Sequence, residues 1–567
     1  METETVIKPE FFRMVQDKYR LYKNHKIRYD ERIIENNRWY KSQYIRQKKD
    51  AGMVSPVTPF LFNTLASKHA DAMDNYPEPN ILEREEADKE TALTLTKILP
   101  LQLDMNDFKK TYSQCWWYKL KNGAACYGIF FNPRLNHGIG DIDIKKIDLL
   151  NLFWEPGITD IQESRFLFHT ALIDNDLLKE QFPEKRDIFV STEQIDIRTY
   201  DDGQNVNQSD IYKDKSLVID CYYKKDGTVH LLKYSGDTIL AATEDEGRGL
   251  YEHGMYPFVF DVMYPDEDSP VGFGLVDIIK NPQLYIDKLD SIIVKNALVS
   301  GKQRFMIKDN GGVNEEELAD VSRDIIHVAG NVSEDNVREF QPKTIHPFIA
   351  QHRDKKIEEL KEIAGNRDFQ QGGTTSGVTA YSAIVALQQA GEKLSRDMIA
   401  ESYEAYKDII YMCVELIRQF YDLPRKYRTE GDQNEVDYLT FDNSGMTQEI
   451  PGDGLTPPVY RRAEFDVKIV PQKYNPYNKV AENQTLMELW NMGIFNPQNI
   501  EQSLLMLDCM QFDSKAKVVQ GLQRMLQEQR AQQMAQMQMQ QAMAAQQQAG
   551  QETIDTPQGR LVSVPIG

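Results

Sequence analysis

Cysteine is scarce in this chain: Cys115, Cys126, Cys221, Cys413 and Cys509 are the only five in 567 residues. The number is odd, the spacing is wide and no two form a CxxC pair. That excludes a zinc ribbon or a disulfide framework and suggests a reducing compartment. Long apolar runs are missing too, with no stretch near the roughly 18 consecutive apolar residues of a membrane span. The opening METETVIKPEFF has neither the apolar core nor the small-residue cleavage site of a signal peptide. A protein made soluble in the cytoplasm, with no membrane partner, is expected. Catalytic signatures are equally absent. There is no GxxxxGK[ST], since Gly301-Lys302 lacks the upstream glycine and the following hydroxyl, so a P-loop ATPase is excluded. Gly272-x-Gly274 lacks the third glycine of a dinucleotide fingerprint, and no GxSxG, HExxH or EF-hand loop occurs. The nine histidines are scattered, and the nearest pair, His346 and His352, is wrongly spaced for one helical face. No catalytic residue, metal site or cofactor is expected.

Positive charge is also in deficit, with 66 Lys+Arg against 87 Asp+Glu and a net charge of −21. A groove that grips nucleic acid neutralises phosphates and is basic, so a general DNA-binding protein is disfavoured. A local basic patch, or a surface that DNA passes without sticking, fits the deficit. The first 50 residues depart from the trend: 13 Lys+Arg against 8 Asp+Glu leave a local +5. Phe12, Val15, Tyr19, Tyr22, Ile33 and Ile34 recur there at helical spacing. They read as a solvated amphipathic surface helix, with contact to an acidic partner or to DNA as the alternative.

What is present is enough for about three or four folded domains, with 41% hydrophobic and 10% aromatic residues. The pattern is mixed α+β and predominantly helical. Helices are expected through Pro59–Ala66, over the acidic stretch Glu83–Leu99, and over about Met105–Lys119. From Ala124 the period changes to two and continues to about Tyr264, with IDIKKIDLLNLFWEPG and LVIDCYYKKDGTVHLLKYSGDTILAA as strands and hairpins and Asp226-Gly227 as a turn. Asn281-Pro282 reads as a helix start in the N-cap/N1 manner, leading to about Val299. Residues 301–345 read as a small α/β insert, with strands near Arg304–Lys308 and Ile325–Val328, a turn at Gly311-Gly312 and a short helix near Glu315–Arg323. A second helix follows His346-Pro347 and ends at Gly365. A Gly- and Thr-rich loop precedes the longest periodic segment, Thr379 to about Asp422, which as a helix would span roughly 66 Å. Glu464–Val470 reads as a strand. Residues 479–549 are helical again, and Gln520–Gln551 holds 14 Gln and five Met in 32 residues. Such a helix leaves Met534, Met537, Met539 and Met543 unburied, which fits either a frayed tail or packing against its own copies.

Two acidic groups offer chemistry of another class. Asp141-x-Asp143 puts both carboxylates on one face of a strand, as a metal-dependent nuclease would use them, or as a solvent-facing strand edge would carry them. Pro265-Asp266-Glu267-Asp268 precedes a helix and could hold Ca²⁺, or form a solvated turn. A metal-dependent nuclease or hydrolase built on Asp141 and Asp143, and a self-assembling coat or scaffold protein, are two readings of the chain.

The order of elements from Tyr256 to Asp422 resembles the portal (head–tail connector) proteins of tailed bacteriophages. The matching pieces are Tyr256-Pro257-Phe258-Val259, then Val271-Gly272-Phe273-Gly274-Leu275 leading into a helix with Gln283, Asp287 and Asn296. The insert, the second helix, the Gly/Thr loop and the long helix opening Ser376-Gly377-Val378-Thr379-Ala380 follow. Upstream, Phe153-Trp154-Glu155-Pro156-Gly157 and Arg165-Phe166-Leu167-Phe168 resemble the family's strand-and-acid-Pro region. The resemblance implies a ring, usually of twelve subunits, around a channel for double-stranded DNA at one capsid vertex of the virion, assembled in the host cytoplasm. It implies a wing (1–265, with the long helix 379–423 and strands 424–475), stem helices (266–300 and 346–364), a clip (301–345), a tunnel loop (365–378), a helical crown (476–549) and a disordered tail (550–567). Partners implied are the terminase or packaging ATPase, head–tail adaptor or tail proteins, and capsid and scaffolding proteins. In the tunnel loop, Asn366, Arg367, Gln370, Gln371, Thr374 and Thr375 would face DNA. On the stem, Lys288, Lys295, Arg353, Lys355 and Lys356 are channel-facing candidates, each otherwise a solvated charge or an intersubunit salt bridge.

Overall fold

The computed structural model describes residues 7–44, 56–189, 198–200, 214–247, 249–301, 345–365, 393–430, 436–450, 459–473, 483, 486–493, 500–510 and 515–549, with short runs between 304 and 340. The chain divides into two compact units, residues 1–472 and 473–567.

In the first unit, helix α1 (Pro9–Tyr40) is followed by α2 (Phe60–Asp74), strand β1 (Asn75–Glu83), α3 (Lys89–Met105) and α4 (Phe108–Asn122). The helix expected from Glu83 therefore begins six residues later. Pro77 and Pro79 force the residues before them into extended backbone, so this stretch becomes a strand. The acidic run after it is a bend in which Glu85 and Asp88 accept from Arg461 at 2.5 and 2.8 Å. Strands β2 (Ala124–Asn132) and β3 (Asp141–Ile147) come next, then β4 (Leu152–Phe153), β5 (Phe166–Asp174), the short helix α5 (Asn175–Gln181), β6 (Lys215–Lys225), β7 (Thr228–Ser235), β8 (Thr238–Ala242) and β9 (Phe258–Val262). They form a five-stranded antiparallel sheet in the order β4-β5-β6-β7-β8 and a three-stranded one in the order β3-β2-β9. The β6–β7 turn is the expected Asp226-Gly227, both at positive φ (52° and 79°), the backbone that a two-residue hairpin of this twist requires.

Helix α1 is not the solvated surface helix of the sequence reading. Its first half lays Phe11, Phe12, Tyr19 and Tyr22 against Phe153, Phe166, Phe168, Tyr223 and Tyr234 of the five-stranded sheet, with ring centroids 5.3–6.2 Å apart. Its second half sends Ile33 and Trp39 into the main core with α2, α3 and α4. Between them, Lys26 and Asp30 are buried and paired at 2.9 Å. The Lys26 ammonium also donates to the Leu149 carbonyl and sits 4.6 Å from the Phe153 ring. Burial pushes the Lys26 pKa down and the Asp30 pKa up.

Strands β10 (Tyr264–Asp266) and β11 (Ser269–Phe273) pair as a hairpin, and α6 (Leu275–Ser300) follows directly. Pro282 lies inside α6 as its eighth residue. The apolar face that drives the helix begins at Leu275, Val276 and Ile279, all buried, so Asn281-Pro282 is not its N-terminus. Strands β12 (Arg304–Ile307) and β13 (Val337–Phe340) pair antiparallel. The insert's partner strand is therefore 337–340, and Ile325 and His327 are not in a strand. The expected turn at Gly311-Gly312 and most of the short helix near Glu315–Arg323 lie outside the described residues. Helix α7 (Pro347–Ile363) starts as expected, with His346 Nδ1 accepting from the Phe348 amide at 3.1 Å.

The long helix is described as α8 (Lys393–Phe420), 28 residues or about 42 Å; the expected residues 379–392 lie outside the described part. Met398, Tyr406, Ile409, Ile410, Cys413 and Ile417 are all buried, so α8 is a strut through the core. Hairpins β14 (Arg425–Glu430) with β15 (Val436–Phe441), and β16 (Thr447–Ile450) with β17 (Val459–Arg462), follow. Strand β18 (Phe465–Lys473) then pairs with β1. In the second unit, α9 (Ile500–Cys509) and α10 (Lys515–Ala549) are described. Met534, Met537 and Met539 of α10 are exposed, as the Gln/Met pattern predicts. No helix among the described residues is long and apolar enough to cross a membrane.

Candidate functional site

The α6–α7 pair that brackets the insert is rooted where three backbones touch. A Cβ on Gly274 would lie 2.7 Å from the Gly123 nitrogen and 2.9 Å from the Lys121 carbonyl. Gly272 has φ +52°, and a Cβ there would meet the Tyr264 carbonyl oxygen at 1.9 Å. The Val271–Leu275 motif is therefore a close backbone crossing between the end of α4, β10 and the start of α6. Side chains lock it: Asp277 Oδ2 accepts from the Gly274 amide at 3.1 Å, Asn36 donates to the Lys121 carbonyl at 2.9 Å and to Asp277 at 3.2 Å, and Arg32 donates to the Gly272 carbonyl at 2.5 Å.

Farther along α6, the polar residues of the motif are anchors. Gln283 is buried; its amide donates to the Thr58 carbonyl at 2.7 Å and to Asp287 at 3.0 Å, and its Oε1 accepts from the Leu61 amide at 3.2 Å. The Asp287 carboxylate also accepts from the Tyr44 hydroxyl. Burial raises the Asp287 pKa although these donors oppose it. Asn296 accepts from the Ile345 amide at 3.1 Å, joining both ends of the insert.

The five predicted stem cations separate. Arg353 bridges from α7 to Asp290 of α6 at 2.9 Å and to Asp354 at 3.1 Å, and the bond to Asp290 raises its pKa. Lys356 pairs with Glu359 at 2.6 Å on the same helix, and that bond lowers the Glu359 pKa. Lys288, Lys295 and Lys355 are exposed, with Lys288 lying 5.6 Å from the exposed Tyr285 ring. Asn366, Arg367, Gln370, Gln371, Thr374 and Thr375 lie outside the described residues. The residues flanking them are fixed: the buried Lys68 ammonium donates to the Gly365 carbonyl at 3.5 Å and to the Ser395 hydroxyl at 2.9 Å, and Ser395 donates to Asp71 at 2.7 Å.

The carboxylate pair Asp141 and Asp143 is not a solvent-facing edge, nor a shared site. Asp141 is buried and accepts from Gln102 at 2.7 Å and the Tyr421 hydroxyl at 2.5 Å, with Arg425 at 3.5 Å. Asp143 pairs with Lys145 at 2.5 Å. Asp266-Glu267-Asp268 is the exposed tip of the β10–β11 hairpin, one strand removed from the helix start. No group of three or more His, Cys, Asp or Glu suited to a metal ion occurs among the described residues. Sequence reading missed Asn36, Lys68 and Lys119. Lys119 donates to Asp261 at 2.6 Å, to Ser402 at 2.7 Å and to the Met398 carbonyl at 3.0 Å, tying α4, β9 and α8 together. The available signal was polar residues at helical positions that an apolar stripe should occupy, such as Lys26, Asp30 and Asn37 on α1.

The family model for phage P22-like portal proteins matches residues 69–558. No curated protein matches the chain. The match runs from within α2 through α10, including the glycine crossing, the helix pair with its insert, and the central strut. The chain belongs to the phage P22-like portal protein family.

Proposed function

We propose that the chain assembles into a ring, usually of twelve copies, that forms the DNA channel at one capsid vertex. Viral DNA is packaged through it and later ejected. The reading rests on the family match over residues 69–558, a family of structural proteins rather than enzymes. In this reading residues 1–265, 379–423 and 424–475 are the wing, 266–300 and 346–364 the stem, 301–345 the clip, 365–378 the tunnel loop and 476–549 the crown. The clip docks the packaging ATPase and later the adaptor or tail proteins, and the wing meets capsid and scaffolding proteins. The charge supports it: a wall that DNA slides past should not hold phosphates, and a subunit of −21 repeated around a ring repels them. Since Arg353 and Lys356 are spoken for within the chain, Lys288, Lys295 and Lys355 are the stem cations available to a passing phosphate backbone, with Asn366, Arg367, Gln370, Gln371, Thr374 and Thr375 in the loop.

The test is the purified full-length protein under negative stain and native mass measurement. Isolated rings with an axial hole and roughly a dozen subunits are expected. Closed shells would indicate a coat protein, and a stable monomer at micromolar concentration would defeat the assignment.

A further inference from the structure

Lys41, Lys121 and Lys146 come from three different elements: the C-cap of α1, α4 and β3. None has an ion-pair partner among the described residues, in a chain with a large surplus of carboxylates. Two of the ammonium groups share one ring. Lys146 Nζ lies 4.0 Å and Lys121 Nζ 4.9 Å from the centroid of Tyr118, and Lys121 is also 4.8 Å from Tyr40. Lys121 is 8% exposed, and its only hydrogen-bond acceptor among the described residues is Asn37 Oδ1, at 3.5 Å. Burial, with Lys146 and Lys41 adding like charge, holds the Lys121 pKa down at about 8. The opposing carboxylate, Asp148, is already engaged by the Tyr200 hydroxyl at 2.9 Å and the Leu150 amide at 3.0 Å. Beside the lysines, Tyr40 packs on Phe62 and Trp117 at 5.6 Å each, and Phe62 is exposed.

A buried, nearly unpartnered ammonium flanked by two more accessible ones is costly as it stands, because each cation opposes the others. An anion with several oxygens relieves this by accepting from all three. A planar carboxylate offers one charge and two oxygens, whereas a phosphate offers tetrahedral oxygens to donors that arrive from separate directions. The adjoining aromatic ledge suits a phosphate that belongs to a nucleotide chain. We propose that Lys121 and Lys146, which share the Tyr118 ring, form with Lys41 at the C-cap of α1 a binding site for a phosphate group, carried by a polynucleotide backbone or free in solution. Only Lys41 of the three belongs to the basic first 50 residues, and the site stands or falls separately from the channel reading.

The test is acetylation footprinting of the full-length protein at fixed ionic strength, read by peptide mass mapping. Inorganic phosphate should slow acetylation of Lys41 and Lys146 by at least about fivefold. The neighbouring Lys145, paired with Asp143, should be unaffected. Lys146→Gln should abolish most of the protection at Lys41, and Lys41→Gln most of that at Lys146, while Lys145→Gln should change neither. A short DNA duplex forms the second arm. Protection by duplex and by phosphate identifies the anion itself as the ligand, and protection by duplex alone assigns the site to the polynucleotide backbone. Equal protection by acetate or a polyglutamate peptide, equal loss with Lys145→Gln, or no protection in either arm overturns the proposal.

Discussion

The ammonium of Lys119 and the carboxylate of Asp261 meet at 2.6 Å with neither side chain more than 1% exposed. Ser402 completes the set by donating to both Asp261 oxygens, at 2.9 and 2.7 Å. Such a pair adds little net stability over apolar packing, but removing one partner leaves an uncompensated charge in the core. Lys119→Met is therefore expected to destabilise the protein by about 3–5 kcal/mol. The double variant Lys119→Met with Asp261→Asn should recover more than half of that loss. Denaturant melts of the three proteins measure it; equal loss in the single and double variants would show that packing of the lysine stem, and not its charge, is what matters.

The glycine crossing makes a second prediction. Gly272→Ala combines a left-handed backbone with a Cβ placed against the Tyr264 carbonyl. Gly236 has a similar φ of +57° but nothing within 4 Å of the added carbon. Gly236→Ala should thus cost only the backbone term, about 1 kcal/mol, and Gly272→Ala at least about 2 kcal/mol more. Similar melting shifts in the two variants would contradict the close-approach account.

Much of this layout was legible in sequence where local rules act alone. The β6–β7 turn was readable because Asp-Gly satisfies its own backbone geometry, and α7 because His346-Pro347 carries both a cap and a fixed φ. Where tertiary partners decide, reading failed. Glu83 looked helical by composition, yet the two preceding prolines and the distant strand β18 made it a strand end. Asn281-Pro282 looked like a helix start, yet burial of Leu275 and Val276 began the helix earlier. Asp141 looked exposed, because nothing local reveals that Gln102 and Tyr421 arrive from α3 and the end of α8. The motif residues Gln283 and Asp287 were noticed by their order in the chain, but their role in anchoring α6 to Thr58, Leu61 and Tyr44 needs long-range contacts.

His253 predicts a pH effect. Its Nδ1 accepts from the Met255 amide at 3.1 Å and its ring stacks on Tyr251 at 5.3 Å, so the ring nitrogen must be unprotonated. Burial, with Lys224 adding, pushes its pKa down to about 4 from the ordinary 6.5. The unfolded chain takes up the proton first as pH falls, so this contribution is intact above about 6.5 and is lost between there and about 4. The loss totals about 3 kcal/mol. His253→Asn keeps an acceptor without a titratable ring. Its stability should change less than the native protein's across that window, and parallel pH profiles for the two proteins would remove His253 as the cause.

Lys68 carries the last prediction, because one ammonium reaches Gly365, which immediately precedes 366–392, and Ser395, in the first turn of α8. Gly365 closes α7 in a left-handed conformation, φ 65°, which glycine adopts without penalty. The chain thus leaves α7 and enters α8 at a common anchor, and that anchor does not depend on the length of what lies between. Replacing residues 366–375 by Gly-Ser should leave ring assembly intact and the melting temperature nearly unchanged, since shortening a connection between two anchored ends alters closure entropy by less than about 1 kcal/mol. DNA packaging or retention should change, because Asn366, Arg367, Gln370, Gln371, Thr374 and Thr375 are lost together. Lys68→Met is the complementary variant: it keeps the loop and removes the anchor, and should lower the melting temperature while leaving loop chemistry untouched. Rings of the shortened protein that package and retain DNA normally would reduce the segment to a simple connector. Failure of the shortened chain to assemble would show instead that 366–375 belongs to the folded core.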